Sequence, residues 1–178
     1  MKQSFLKDEI LTLRAPEQSD LEKLFIWEND SSQWHVGNAI APYSHKQLWD
    51  YIEDYDADIF RSRQLRFIIV ENKTCKPIGT IDLFDFDPIN RHATLGILIE
   101  KEYRHCRYAF RALNLICVYC SEHLGIHSLL ALTAKGNLPA LGLFKKTGFD
   151  TCGCLRSWIR LGNTYEDAVL LQKCFEVG

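Results

Sequence analysis

The sequence lacks three features that would place it in common functional classes. No apolar run approaches the roughly 18 residues that a membrane-spanning helix needs. Residues 1–8 contain no apolar core of a signal peptide, so we expect a cytoplasmic protein without a membrane partner. Lys and Arg number 21 against 23 Asp and Glu, and this net charge of −2 provides no basic excess for coating nucleic acid. We therefore expect no nucleic-acid partner.

Proline and glycine are also sparse, with 5 and 10 residues, and no linker rich in them divides the chain. A length of 178 residues fits a single domain, which we assign to residues 1–178. A chain of this size buries enough surface to fold without a metal or a disulfide.

Cysteine, by contrast, is abundant, with seven residues. In a reducing compartment we expect these to be free thiols buried in the core. The spacings Cys117-x-x-Cys120 and Cys152-Gly-Cys154 also fit a zinc or redox site. The first pair falls in an apolar helical run, however, and no second pair or His-x-x-x-His completes a tetrahedral site, so we predict no metal.

The hydrophobic pattern alternates between strand and helix periods. It predicts strands over 9–14, 65–71, 77–86, 93–100, 128–133, 149–161 and 165–172. It predicts helices from 19 or 20 to 28 and over 44–55, 107–124 and 137–146. This order predicts an α/β fold (α+β, three-layer) with a mixed, mostly antiparallel sheet. The long helix between the strands near residues 97 and 130 implies that these two strands are parallel.

The turn after the strand 93–100 is the most informative segment for function. A central strand ends there, a basic turn follows, and a long helix begins. The first N–H groups of a helix have no intrahelical acceptor and carry a partial positive charge. Arg104, His105 and Arg107 add basic side chains, so the turn is suited to an anion such as a diphosphate. The alternative is a solvated turn without a ligand.

Several motifs occur in one order along the chain. Arg104-His105-Cys106-Arg107-Tyr108-Ala109 resembles the pattern Q/R-x-x-G-x-G/A at the start of a long helix, and Asn137 opens the next helix. Lys146-Thr147-Gly148-Phe149 and Gly162-x-x-Tyr165-x-Asp167 follow. Together these motifs resemble those of the GNAT superfamily of acetyl-CoA-dependent N-acetyltransferases.

Within that superfamily one group matches best. The stretches Arg66-Phe67, Gly79-Thr80-Ile81-Asp82 and Asn90-Arg91-x-Ala93 are similar to those of the spermidine/spermine and ribosomal-protein N-terminal acetyltransferases. The resemblance implies a GNAT-like fold in which the central parallel pair splays apart. It also implies acetyl-CoA as cosubstrate, direct attack by an amine acceptor and no metal. By analogy with such folds, a homodimer through the terminal strands is possible.

The resemblance also implies the cofactor-binding residues. Acetyl-CoA lies in a V-shaped gap between the strand ending at Ile99 and the strand 129–133. The backbone of Ile97, Leu98 and Ile99 bonds the pantetheine, and Asn137 contacts the cofactor arm. The backbone amides that hold the diphosphate belong to Arg104, His105, Cys106, Arg107, Tyr108 and Ala109.

Two positions depart from the family pattern. Arg107 stands where the family has glycine, which lets the backbone approach the diphosphate without a Cβ. We expect Arg107 in right-handed helical dihedrals, with a side chain that either pairs with a phosphate or blocks the site. Phe144 stands where many relatives have a tyrosine that protonates the leaving thiolate. Because phenylalanine has no proton to give, we expect water or another group to supply it.

The acceptor side offers two candidate catalytic carboxylates, Asp82 and Asp85. Their odd separation places them on opposite faces of a regular strand, so at most one faces the cleft. Either one is alternatively a plain surface carboxylate. Thr94 occupies a position where polyamine-acetylating relatives carry Glu. Four aromatic or imidazole residues could wall the pocket, although Trp34 and Trp49 also fit as core anchors; the four are Trp34, His35, Tyr43 and Trp49.

We therefore predict an N-acetyltransferase that moves acetyl from acetyl-CoA to a primary amine. The acceptor is a polyamine, a protein N-terminus or a small aminated metabolite. The acidic stretch Glu53, Asp54, Asp56 and Asp58 could attract a polycation, or it could be a solvated helix end. Arg107 and Phe144 support an alternative, a non-catalytic GNAT-fold module that binds acyl-CoA or a partner.

Overall fold

The computed structural model describes residues 5–31 and 40–176. Its strands are β1 (Leu11–Arg14), β2 (Leu65–Glu71), β3 (Lys76–Asp87), β4 (His92–Ile99), β5 (Ser128–Ala134), β6 (Asp150–Leu161) and β7 (Thr164–Cys174). Its α-helices are α1 (Leu21–Glu28), α2 (His45–Glu53), α3 (Ile59–Ser62), α4 (Tyr108–Val118) and α5 (Leu138–Lys146). The strands lie close to the predicted ranges, and the short helix α3 is an addition.

Helix ends follow from local side-chain chemistry. Ser44 Oγ accepts a hydrogen bond from the Gln47 N–H, and the Gln47 side chain accepts one from the Ser44 N–H, so α2 begins with a capping box. Asp58 Oδ1 accepts from the Phe60 N–H and starts α3. Helix α4 continues as one π-helical turn, Tyr119–His123, which extends it almost to the predicted end.

The seven strands form one sheet in the order β1-β2-β3-β4-β5-β7-β6. Neighbours are antiparallel except β4 and β5, which are parallel. Pairing between β4 and β5 covers only His92–Thr94 with Ser128–Leu130. Beyond Thr94 the two strands are unpaired with each other, which leaves the V-shaped gap. The predicted mixed sheet with a splayed parallel pair is confirmed.

Apolar side chains cover both faces of the sheet and produce three layers. Phe67 and Ile69 of β2 lie in the larger core with Leu113 and Ile116 of α4. Ile68 points to the opposite face, as strand alternation requires, and packs in the smaller core with residues of α1 and α2. No helix in the described part has the length and apolar character needed to span a membrane.

The cysteine prediction is partly wrong. All seven are free, but only Cys117 and Cys120 are buried; Cys75, Cys106, Cys152, Cys154 and Cys174 are exposed. Cys152 and Cys154 lie on β6, which is an edge strand of the sheet. Burial raises the pKa of Cys117 to about 11, so this thiol is protonated at neutral pH. Among residues 5–31 and 40–176 no group of His, Cys, Asp or Glu side chains could hold a metal ion.

Candidate active site

The splayed part of β4 offers one free backbone edge. On its other edge Ile97, Leu98 and Ile99 pair with β3. Gly79 of β3 allows this close approach, because a Cβ there would lie 2.0 Å from the Leu98 carbonyl oxygen. The Arg104 Nε donates to the Ile99 carbonyl at 3.0 Å and ties the following turn to the strand end.

The loop Arg104–Ala109, which we call the α4 loop, follows β4 and leads into α4. Arg107 is the residue before the helix and has φ 63° and ψ 8°, and His105 has φ 64°. The prediction of right-handed dihedrals for Arg107 is therefore wrong. Because glycine adopts this left-handed conformation without a Cβ penalty, the geometry explains why the family pattern has glycine there.

The α4 loop is also open to solvent. Arg104, His105, Cys106 and Arg107 are exposed, and the Arg107 side chain does not cap the helix. The first N–H groups of α4 point out of the helix end, and no side chain in the described part of the protein accepts a hydrogen bond from them. Such donors at a helix N-terminus fit a diphosphate, so the residues present are compatible with coenzyme A.

Tyr108 fixes the first turn of α4. Its hydroxyl donates to the Glu71 carboxylate at the end of β2, which raises the pKa of Tyr108 to about 12. Hydrogen bonds from Thr74 and Tyr108 in turn lower the pKa of Glu71. The start of the helix is thus anchored to the sheet while its backbone donors stay exposed.

Helix α5 places the other two predicted residues in structural positions. Asn137 Oδ1 accepts from the Ala140 N–H at 3.2 Å and caps α5. Phe144 is 5% exposed and packs edge-on against Phe149, with ring centroids 5.1 Å apart. Neither residue lines the cleft described next. The Asn137 contact with the cofactor stays a prediction.

A cleft of about 1020 Å³ opens on the sheet face that carries α1 and α2. Thr94, Gly96 and Leu98 of β4 line it together with Leu130 and Leu132 of β5. The rest of the boundary comes mainly from helices α1 and α2 and from strands on either side of the β4–β5 gap. It includes Trp27, Glu28, Tyr43, Tyr51, Arg66, Asp82, Asp85, Trp158 and Arg160. The cleft therefore reaches the V-shaped gap from the face opposite α4.

An ion network occupies the inner part of this cleft. Arg66 Nε donates to Asp82 Oδ1 at 2.7 Å, and its Nη1 donates to Glu28 Oε1 at 2.6 Å. The guanidinium lies 5.5 Å from the centre of the Tyr51 ring. Burial alone lowers the pKa of Arg66, but the two carboxylates more than offset this and raise it. Counted over the described residues, one positive and two negative charges leave this network negative.

Asp82 and Asp85 both line the cleft, which corrects the expectation that they lie on opposite faces. The register of β3 with β4 shifts between Phe84 and Asp87, and Asp85 there has φ 52°. This bulge interrupts the alternation of a regular strand. Within the described ranges the exposed Asp85 carboxylate makes no ion pair, whereas Asp82 is held by Arg66.

The remaining predicted residues divide into three groups. Tyr43 and Thr94 line the cleft, while Trp49 lies outside it and is 36% exposed rather than a core anchor. Trp34 and His35 lie outside the described residues. The acidic stretch over residues 53–58 does not line the cleft. Within this stretch Asp56 pairs with Arg61, and Asp58 caps α3.

Sequence reasoning missed three residues of the cleft. Glu28 ends α1 in the sequence pattern and carries no motif of its own. Arg66 marks the family resemblance, but its bond to Asp82 depends on the β2–β3 register. Trp158 lies where the register of β6 with β7 shifts, and no pattern of neighbouring residues in the sequence predicts this shift.

Comparisons with known proteins agree with this geometry. The family model described as Acetyltransferase (GNAT) domain matches residues 11–150. Spermidine N(1)-acetyltransferase of Vibrio cholerae is 28% identical over 161 residues, covering 88% of each chain. The putative ribosomal N-acetyltransferase YdaF of Bacillus subtilis is 24% identical over 177 residues, covering 91% of this chain and 90% of its own.

The fold has a close structural neighbour as well. The crystal structure of the Vibrio cholerae spermidine N-acetyltransferase in complex with CoA and spermine superposes with a TM-score of 0.82 at 24% identity, covering 94% of this chain and 96% of the other. The resemblance predicted from the motifs is confirmed. The chain belongs to the GNAT family of acetyl-CoA-dependent N-acetyltransferases.

Proposed function

We propose that this chain transfers the acetyl group of acetyl-CoA to a primary amine of a linear polyamine such as spermidine. The observation that carries the proposal is the composition of the cleft. Glu28, Asp82 and Asp85 supply three carboxylates. Against these stand the two guanidinium groups of Arg66 and Arg160, and Arg66 is bound to two of the three carboxylates. A negative cleft attracts a polycation and disfavours an anionic acceptor. The named relatives that act on spermidine support the same substrate class.

The α4 loop is the proposed binding site of the cofactor. Backbone N–H groups of Arg104–Ala109 bind the diphosphate, and the free edge of Ile97–Ile99 bonds the pantetheine. When bound, acetyl-CoA supplies the acetyl thioester. The gap between β4 and β5 gives the thioester access to the cleft from the α4 side.

Asp85 has the catalytic role that the geometry favours. A polyamine nitrogen is an ammonium at neutral pH and must lose a proton before it attacks. Asp85 is exposed and unpaired within the described residues, so it can accept that proton directly or through water. Asp82 is occupied by Arg66 and contributes negative charge. The amine then attacks the thioester carbon and the carbon–sulfur bond breaks. The second proton lost by the attacking nitrogen passes through water to the departing thiolate, because Phe144 has no proton to give.

The test is turnover, measured as release of the coenzyme A thiol. The amine panel contains spermidine, spermine, a short monoamine and a peptide with a free N-terminus. We expect the polyamines to be the best substrates and Asp85→Asn to lower their kcat/KM by at least tenfold. Asp54→Asn is the matched control, because Asp54 is an exposed carboxylate outside the cleft.

Three results would contradict the proposal. No turnover with any amine would support the non-catalytic module instead. A preference for the peptide would move the acceptor to protein N-termini. A larger loss in Asp54→Asn than in Asp85→Asn would assign polycation binding to the acidic stretch. The cytoplasmic location and the homodimer stay predictions.

A further inference from the structure

Trp158 is an exposed indole on the boundary of the cleft. It lies on β6 and is 60% exposed, and the neighbouring Ile159 and Arg160 line the cleft with it. Its side of the cleft belongs to the β5-β7-β6 part of the sheet, whereas Asp82 and Asp85 belong to β3. An acceptor that enters the cleft therefore passes between carboxylates on one side and an aromatic surface on the other.

A bulge in β6 presents this indole. Leu155 pairs with Ala168 and Ile159 pairs with Glu166, so three residues of β6 stand opposite the single residue Asp167 of β7. Trp158 is one of the three and lies outside the regular ladder. Bulges of this kind redirect a side chain and are frequent beside active sites.

The Asp167 carboxylate holds the bulge in place. Its Oδ1 accepts from the Ser157 N–H at 3.0 Å, and its Oδ2 accepts from Lys135 Nζ at 3.4 Å. Ser157 has φ 49°, a left-handed conformation that is unfavourable for a residue with a Cβ. Both hydrogen bonds lower the pKa of Asp167, so the carboxylate is charged at neutral pH. The bond to Ser157 thus compensates the strained backbone that carries Trp158.

The cleft chemistry indicates which ligand such an indole would contact. A linear polyamine alternates ammonium groups with short methylene segments. An indole face is the best aromatic partner for a cation, and it also packs against methylene groups. A short monoamine has only the reacting nitrogen and does not extend to a second contact.

On the basis of the proposed function, we propose that Trp158 determines acceptor specificity by contacting the non-reacting part of a polyamine, and that Asp167 is the residue that positions it. The carboxylates of the cleft act on the reacting end, and the indole selects acceptors that are long enough to reach it.

Steady-state kinetics with spermidine and with a short monoamine test the proposal. We expect Trp158→Ala to raise the KM for spermidine about five- to tenfold, with kcat and the KM for acetyl-CoA changed less than about twofold. The KM for the monoamine should change little, so the preference for spermidine over the monoamine, measured as the ratio of their kcat/KM values, should fall by the same factor. Asp167→Ala should act in the same direction, and Asp167→Asn, which keeps an acceptor oxygen, should have a smaller effect.

Two matched controls separate specificity from general damage. Tyr165 is 61% exposed on the same hairpin but outside the cleft lining, so Tyr165→Ala should leave the KM for spermidine unchanged. Spermidine should also change the tryptophan fluorescence of the wild type. Trp27 also lines the cleft but is only 6% exposed, so the signal should fall strongly in Trp158→Phe and persist in Trp27→Phe. It should persist in Trp49→Phe as well, because Trp49 lies outside the cleft.

The outcomes distinguish this inference from the proposed function. If no amine is acetylated, the proposed function fails, and the fluorescence titration still reports on Trp158. If spermidine is acetylated but Trp158→Ala leaves its KM unchanged, the specificity role is wrong. If Trp158→Ala changes the sedimentation mass and not the KM, Trp158 belongs to an interface between copies of this chain and the proposal is overturned.

Discussion

The α4 loop and the inner part of the cleft differ in whether their polar groups have partners within the protein. In the loop, left-handed residues and an uncapped helix end leave backbone donors exposed. In the cleft, Arg66 is bound by Asp82 and Glu28, and the Tyr55 hydroxyl bonds both the N–H and the carbonyl of Arg66. The loop thus keeps its donors for a ligand, whereas the Arg66 network in the inner cleft pairs its charges internally and retains a negative excess among the described residues.

The largest effect should come from removing Arg66, the cation that binds two carboxylates of the cleft. Arg66→Leu leaves Asp82 and Glu28 close together without their common partner. Loss of one member of a buried ion pair typically costs 3–5 kcal/mol, and these side chains are about a quarter exposed. We expect urea unfolding to show that the free energy of unfolding falls by about 2–3 kcal/mol in this variant.

Arg61 provides the control for this prediction. It pairs with Asp56 at 2.5 Å but is 76% exposed. Exposed pairs contribute little to stability, so Arg61→Leu should leave the unfolding midpoint nearly unchanged. If Arg66→Leu and Arg61→Leu lower the free energy of unfolding equally, the Arg66 network contributes no more to stability than an exposed ion pair.

A smaller effect should come from relieving the backbone of the α4 loop. Left-handed backbone costs a residue with a Cβ about 1–2 kcal/mol, and glycine loses about 0.5–1 kcal/mol through its unfolded-state entropy. Arg107→Gly should therefore raise stability by roughly 0.5–1 kcal/mol. It should also tighten acetyl-CoA binding, measured by calorimetric titration, because the long side chain no longer competes for space.

Arg63 separates these two effects. It has φ 62° at the end of α3 and lies outside the cleft lining. Arg63→Gly should give a similar gain in stability without any change in acetyl-CoA affinity. If Arg107→Gly binds acetyl-CoA more weakly than the wild type, the Arg107 guanidinium pairs with a phosphate instead of obstructing it.

The smallest effect should come from Phe144, which belongs to neither region. Its ring is buried against Phe149 and is absent from the cleft lining. Phe144→Tyr should therefore change kcat by less than about twofold, and it should reduce stability because the buried phenol needs a hydrogen-bond partner. A tenfold rise in kcat would instead show that proton transfer to the thiolate limits the reaction.

Local signals in the sequence account for most of the fold. The Ser44 cap, the alternation in β2 and the apolar run of α4 each predict their element from neighbouring residues. The crossover helix α4 predicts the parallel pair through a general handedness and length rule. These features need no knowledge of distant contacts.

The site is less predictable because distant residues determine it. The β6 bulge depends on a bond between Ser157 and Asp167, ten residues apart. The shift at Asp85 brings two carboxylates into one cleft, although their spacing predicts opposite faces. The left-handed Arg107 was open to prediction, since the glycine of the family pattern marks the position that needs positive φ.

The central claim is that the α4 loop binds the diphosphate of acetyl-CoA although Arg107 replaces glycine. Thermal unfolding with and without the cofactor tests it most directly. At 100 times Kd, a ligand stabilises the folded state by about 2.7 kcal/mol, which corresponds to a rise of roughly 5–10 °C in Tm for a chain of this size. We predict that rise with acetyl-CoA and a much smaller one with acetyl-pantetheine, which lacks the diphosphate. No rise with acetyl-CoA, or equal rises with both compounds, would contradict the claim.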